Sequence, residues 1–295
     1  QCWKTINSQS WSTRSKLTAV RCIDADETKY QYVVRLQFQI IFSERDKIEI
    51  LRTLHSCTVA VLTPIWALTA GHCFDIQGLE LELESKYISL RPVVSYGSHN
   101  ITTFSLVMDI IKHPAHNLRI YELYHDVALM RHEPITLKQY ARFSGLDYVT
   151  MIGQEVTLTG YGITTDAVIR NSTLVHVASD ATRLGKPLQL LDAVIVQCSA
   201  GNTVMLKPRM CLARRCNKLS GVCLGDSGGP VLHDSGVVGI NSLGTQQTDK
   251  FCTLKAYVTF YDPAEVTPTS LYIDWISTII RNEVPKHYKK NLRKR

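Results

Sequence analysis

The chain has 295 residues, 45% of them hydrophobic and 20% charged, with a formal net charge of +7. This is a globular composition with apolar content enough for one large core or two smaller ones, and it excludes a disordered chain. Residues 281–295 hold seven Lys/Arg and one Glu, so most of the excess charge lies in this tail. The rest of the chain is near neutral, which argues against a general nucleic-acid-binding surface. The tail reads as a solvated end first and as a polyanion contact second.

Nine cysteines without a CxxC pair point to disulfides in an oxidising compartment, and the odd number leaves one thiol outside any internal pairing. No apolar run reaches the roughly 18–20 residues of a membrane span. Gln1-Cys2-Trp3-Lys4 has no apolar signal core, so a secreted protein would already have lost its signal peptide. Asn100-Ile101-Thr102 and Asn171-Ser172-Thr173 are glycosylation tripeptides, each weak evidence of a secretory route.

In chain order, polar residues 1–22, bracketed by Cys2 and Cys22, read as a pre-domain segment that a Cys2–Cys22 bridge would close. Tyr30 to Ile40 alternates and is β-branched, which predicts a strand; Ser56 to Leu62 predicts another, ended by Thr63-Pro64. Residues 74–92 read as an inserted loop. Within it, Leu79 to Glu84 alternates apolar and acidic residues, a strand with a solvated acidic edge rather than a calcium loop. His113 and His116 form an HxxH pair without the helical HExxH context of a zinc site. At His125-Asp126-Val127-Ala128-Leu129-Met130 an aspartate enters an apolar run, where burial without a partner is costly. Residues from Pro134 to about Val149 predict a crossing between two halves. Leu271, Tyr272, Trp275, Ile276, Ile279 and Ile280 recur at helical spacing as a packing stripe, ended by Pro285.

The most informative stretch is Gly221 to Pro230, half of it glycine or proline, with a serine in mid-turn. Glycines on either side of Ser227 allow backbone N–H groups to face open space, the construction of an oxyanion hole. Asp226, directly before the serine, needs a partner. Gly225-Asp226-Ser227-Gly228-Gly229-Pro230 resembles the nucleophile loop of the trypsin/chymotrypsin-like serine proteases. Leu68-Thr69-Ala70-Gly71-His72-Cys73 resembles that family's Leu-Thr-Ala-Ala-His-Cys block with glycine for one alanine. His125 to Met130 resembles its Asn-Asp-Ile-Ala-Leu-Leu block, and Val156 to Gly162 its Val-Thr-Gly-Trp-Gly with tyrosine for tryptophan.

The resemblance spans about residues 23–283. It implies an all-β fold of two six-stranded antiparallel barrels, about 23–140 and 150–265, with a C-terminal helix at about 270–283 and the basic tail 284–295 beyond. It implies a secreted endopeptidase with polypeptide substrates, in which His72, Asp126 and Ser227 form the triad and the N–H groups of Gly225 and Ser227 the oxyanion hole. No metal or organic cofactor is implied. Protease inhibitors or an activating partner are further expected ligands. The implied bridges are Cys57–Cys73, Cys198–Cys211 and Cys223–Cys252, which leaves Cys2, Cys22 and Cys216 unassigned.

For substrate binding the resemblance puts Gly221 at the pocket floor, Lys255 on its wall if Tyr257 matches the family tyrosine, and Ser242 and Gly244 on a substrate-pairing strand. An uncharged floor argues for an apolar residue before the cleaved bond, with an acidic one as the second reading. One family feature is missing. No Ile-Val-Gly-Gly-like activation sequence is present, and the nearest site is Arg21-Cys22-Ile23-Asp24. This keeps open a rival reading, a catalytically weak or inactive protein-binding module on the same fold. A polyanion-binding protein led by the tail rests on charge alone.

Overall fold

The computed structural model describes residues 23–44, 47–75, 88–98, 101–119, 122–162, 165–170, 173–178, 187–198, 205–214, 222, 224–243 and 264–282. After β1 (Ile23–Asp24) and turns over 27–32, the strand expected from Tyr30 begins at Val33 and runs longer, as β2 (Val33–Glu44). It forms a long hairpin with β3 (Lys47–Thr63), followed by β4 (Trp66–Thr69), β5 (Ile88–Ser98) and β6 (Ile101–Lys112). A small pair, β7 (Asn117–Arg119) and β8 (Glu122–Tyr124), precedes β9 (Ala128–His132). The first barrel closes in the order β2-β3-β4-β9-β6-β5. Bulges between Leu36 and Gln37 and between Ile40 and Ile41 interrupt the pairing of β2 with β3, and such bulges bend a strand enough to close a barrel.

The second half contains β10 (Glu155–Gly160), the hairpin β11 (Thr165–Arg170) and β12 (Thr173–Ala178), β13 (Gln189–Val196), β14 (Met205–Lys207), β15 (Met210–Arg214), β16 (Pro230–His233), β17 (Gly236–Leu243) and β18 (Ala264–Pro268). Six of these close through β13-β10-β16-β17-β18-β15, with β15 returning to β13 and β1 added on the edge of β13. Two closed six-stranded antiparallel barrels are therefore present, as the sequence leads one to expect.

Each barrel has its own apolar centre. Leu36, Val59, Val61, Leu68 and Leu129 are fully buried in the first; Val156, Leu158, Ile195, Leu212, Val231 and Val266 fill the second. The connection from 133 to 154 fastens one barrel to the other. Ile135 and Ala141 donate their N–H groups to Pro64 and Val61 of the first barrel, and Ser144 donates to Val237 of the second. Gly236 allows this approach: its φ is +128°, and a Cβ there would stand 2.6 Å from the Arg142 carbonyl oxygen.

The chain ends, as described, in a 3-10 turn (Thr269–Tyr272) and helix α1 (Ile273–Asn282). Its stripe packs back on the first barrel's core through buried Tyr272 and Ile276 and partly buried Trp275, Ile279 and Ile280. Leu271 departs from the expected stripe and is half exposed. The expected strand Leu79–Glu84, the segment 1–22, Cys216, Pro285 and the basic tail lie outside the described residues. Truncating buried Ile276 to alanine is expected to lower folding stability by about 2–5 kcal/mol. Leu271→Ala should change it by about 0.5 kcal/mol or less. Urea unfolding of the two variants checks the contrast.

Candidate active site

The site begins where β4 ends. Ala70 remains extended, and the chain then turns through a single 3-10 turn, Gly71–Phe74, carrying His72. The turn is anchored on β3 twice, by the Cys57–Cys73 disulfide and by Thr69, whose hydroxyl donates to the Thr58 carbonyl at 2.9 Å. The Cys57 and Cys73 sulfurs lie close to His72, but bonded to each other they offer no thiolate to a metal.

Asp126 stands just before β9 and is fully buried. Its carboxylate accepts from the His72 backbone N–H through Oδ1 at 2.7 Å, and from the His72 ring through Oδ2, with Nδ1 also at 2.7 Å. The Ser242 hydroxyl, from β17 of the second barrel, donates to Oδ2 as well. A carboxylate only accepts, so Nδ1 carries the proton and Nε2 the lone pair. The preceding residue, His125, takes a left-handed φ of +45°, a conformation that asparagine and histidine adopt more readily than most residues. Its ring stacks on His113 at 4.8 Å, and its Nδ1 lies 3.0 Å from the Tyr272 hydroxyl.

These contacts set the titration. Burial pulls the His72 imidazole down; the charge and hydrogen bond of Asp126, helped by Asp75, outweigh it and hold His72 above its ordinary 6.5. Burial pushes the Asp126 carboxyl up, yet the His72 charge and the hydrogen bonds from His72 and Ser242 hold it below the ordinary carboxylate value.

The Gly225–Gly229 loop is packed against the same strands. Thr58 donates its N–H to the Ser227 carbonyl at 2.8 Å and its hydroxyl to the Gly225 carbonyl at 2.8 Å, where His55 Nε2 also approaches to 3.2 Å. Gly228 donates to the Asn241 carbonyl at 2.7 Å. A Cβ on Gly228, whose φ is +78°, would collide with Thr69 and stand 3.0 Å from the Ala70 nitrogen. Ser227 is thus seated beside the strand end that carries His72. Among the described residues, the N–H groups of Gly225 and Ser227 donate to no acceptor, and no hydrogen bond joins Ser227 to His72.

Asp226 has the partner its position demands. Gly162 donates its N–H to Oδ1 at 2.7 Å, and the carboxyl fits between Gly160 and Gly162 so closely that a Cβ on Gly162 would lie 2.5 Å from it. Tyr161, between these glycines, lies under the Arg35 guanidinium at 4.2 Å and donates its hydroxyl to the Val33 carbonyl. Ile23 lies apart, on the barrel edge against Leu190, and is 56% exposed.

The Cys57–Cys73 and Cys198–Cys211 bridges are present. Gly221, Gly244, Lys255, Cys223, Cys252, Asn100 and Asn171 lie outside the described residues. Ser242 carries a function that its expected place on a substrate-pairing strand does not include: its hydroxyl turns inward to Asp126. Thr58, His55 and His116 escaped the reading of the sequence. Only His116 left a trace there, as half of the HxxH pair.

A family model described as Trypsin matches residues 23–276. The chain is 25% identical to brachyurin of Leptuca pugilator over 234 residues, covering 76% of this chain and 88% of that protein. It is 28% identical to chymotrypsin-like elastase family member 1 of Homo sapiens over 240 residues, covering 77% and 81%. Among solved structures, the mouse brain serine protease neuropsin superposes with a TM-score of 0.57 at 19% identity, covering 87% of this chain and 97% of the other. That last likeness is one of fold.

With the Asp126 charge removed, burial, the largest of the remaining influences, outweighs the smaller pull of Asp75 on the His72 ring. In an NMR titration of the Asp126→Asn variant the His72 midpoint should move from above 6.5 to below it.

Proposed function

Because the chain belongs to the trypsin family of serine proteases, we propose that it is a secreted serine endopeptidase working through an acyl-enzyme. The observation that carries this reading is the buried Asp126, with both carboxylate oxygens committed to His72. Ser227 Oγ attacks the carbonyl carbon of the scissile bond and passes its proton to His72 Nε2. The carbonyl electron pair moves to oxygen, where the N–H groups of Gly225 and Ser227 receive it. As the C–N bond breaks, His72 gives the proton to the leaving amine. A water then repeats the sequence on the ester and frees Ser227. Asp126 stabilises the His72 imidazolium in both halves.

Two features bear on competence. The contact between Ser227 and His72 is open, and catalytic hydrogen bonds of this kind often close only when substrate binds. Asp226 is satisfied by Gly162 within the chain, so the oxyanion loop has an organising contact that does not involve Ile23. The first is compatible with an enzyme, and the second favours one over an inert binding module. The uncharged residue at Gly221 supports an apolar side chain before the cleaved bond, and the disulfides support an extracellular setting.

A fluorophosphonate probe tests the proposal. The full chain should label, Ser227→Ala should not, and peptide hydrolysis by that variant should fall on the order of 10⁶-fold. Absence of Ser227-dependent labelling, both before and after limited trypsin cleavage, would assign the chain to the non-catalytic reading.

A further inference from the structure

Thr58 is fully buried on β3, and every polar group it has is engaged. Its N–H donates to the Ser227 carbonyl at 2.8 Å. Its carbonyl accepts from the Thr69 hydroxyl at 2.9 Å, at the strand end that leads to the turn of His72. Its hydroxyl donates to the Gly225 carbonyl at 2.8 Å and accepts from the Tyr161 N–H at 3.0 Å. The first two contacts use only backbone, which any residue but proline supplies. The last two need a short side chain that donates and accepts at once.

The hydroxyl lies where two pairs of neighbouring residues face each other. Tyr161 and Gly162 follow β10; Gly225 and Asp226 belong to the turn before β16. The Gly162 N–H reaches the Asp226 carboxylate directly, at 2.7 Å. The Tyr161 N–H is linked to Gly225 through the Thr58 hydroxyl. Three successive residues are then held, 225 by its carbonyl, 226 by its side chain and 227 by its carbonyl. The Ser227 N–H belongs to the peptide between the second and third of these anchors, so its direction is set with them. Glycine at 225, with φ at +96°, has the most backbone freedom of the three, and the hydroxyl is what restrains it. His55 Nε2 stands farther from the same carbonyl, at 3.2 Å.

We propose that Thr58 is a positioning residue of the reaction: its hydroxyl holds residues 225–227 in the orientation that receives the developing oxyanion. This deepens the endopeptidase reading and rests on it for its catalytic consequence, whereas the hold on the loop is independent of that reading. Thr58 acts only through backbone groups of the loop. Its loss therefore shows in the step where charge builds on the carbonyl oxygen, and not in substrate binding or in the proton affinity of His72.

Thr58→Val keeps the shape of the side chain and removes the hydroxyl. In the full chain its kcat for peptide hydrolysis should fall on the order of 10²-fold with KM nearly unchanged, and fluorophosphonate labelling should slow in parallel. Thr58→Ser should recover most of both rates. The His72 midpoint, followed by imidazole NMR, should be the same in the parent and the valine variant. Hydrogen exchange gives a readout that needs no activity. The Gly228 and Gly229 amides donate to the Asn241 and Asp226 carbonyls. In the valine variant they should exchange about tenfold faster, while the amides of α1 keep their rates. Thr58→Ala serves for the same measurements should valine not fold. A hydroxyl-free variant that keeps both its rate and its exchange pattern overturns the proposal. So does an equal loss in the valine and serine variants, or exchange accelerated equally throughout the chain, since either assigns the effect to packing. If the parent chain never labels, the endopeptidase reading fails, and the exchange comparison alone then decides whether the hydroxyl holds the loop.

Discussion

A single buried carboxylate holds the working part of this molecule together. Asp126 is without solvent, and an ionised group in that position is tolerated only when its lone pairs are met. His72 meets them from the turn after β4, with both its backbone and its ring. Ser242 meets them from β17, and Thr267 on β18 donates to the Asp126 backbone carbonyl at 3.0 Å. The first group belongs to one barrel and the other two to the second. The requirement to satisfy one charge therefore ties both barrels to a common geometry, and the imidazole is oriented as a by-product. The first barrel's apolar cluster reaches Val237 and Ile240 of the second, and this polar cluster adds a directional constraint on how the two meet.

The loop around Ser227 follows the same logic with backbone in place of charge. Thr58 supplies an N–H to the Ser227 carbonyl and a hydroxyl to the Gly225 carbonyl, and it accepts from the Tyr161 N–H. One short side chain on β3 thus gathers β10 and the serine loop at the back of the site. The Gly225 and Ser227 carbonyls are thus occupied by Thr58. Gly225, with φ at +96°, makes that peptide orientation accessible.

What could be read from the sequence was whatever is local. Gly225 to Pro230, Ala70 to Cys73 and His125 to Met130 announce themselves because glycine, small residues and an aspartate in an apolar run have few other reasons to occur together. The two barrels were legible from the same motifs. What could not be read is relational. Ser242 sits on a strand whichever way its hydroxyl turns, and only the proximity of Asp126 makes that turn decisive. Thr58 looks like any strand threonine. His116 and Gly71 are 45 residues apart and meet only after β4 and the segment following β6 are placed side by side. Strand limits also shifted, as at Tyr30, because turns over 27–32 occupy the start of an alternating run.

The coupling of Asp126 to His72 sets the needs of folding against those of chemistry. Asp126, held below its ordinary value, contributes stability that is present above the carboxylate range and is lost as pH falls through its depressed folded value. His72, held above its ordinary value, contributes stability that is complete below 6.5 and is lost as pH rises through its raised folded value. The ion pair therefore strengthens the fold most in mildly acidic solution, where the imidazole is charged and cannot act as a base. At the alkaline side the ring is neutral and ready to accept a proton, and the ion pair no longer exists. Under the proposed endopeptidase mechanism, the molecule is tightest when it is idle, and each turnover would briefly re-form the ion pair that rest at working pH gives up.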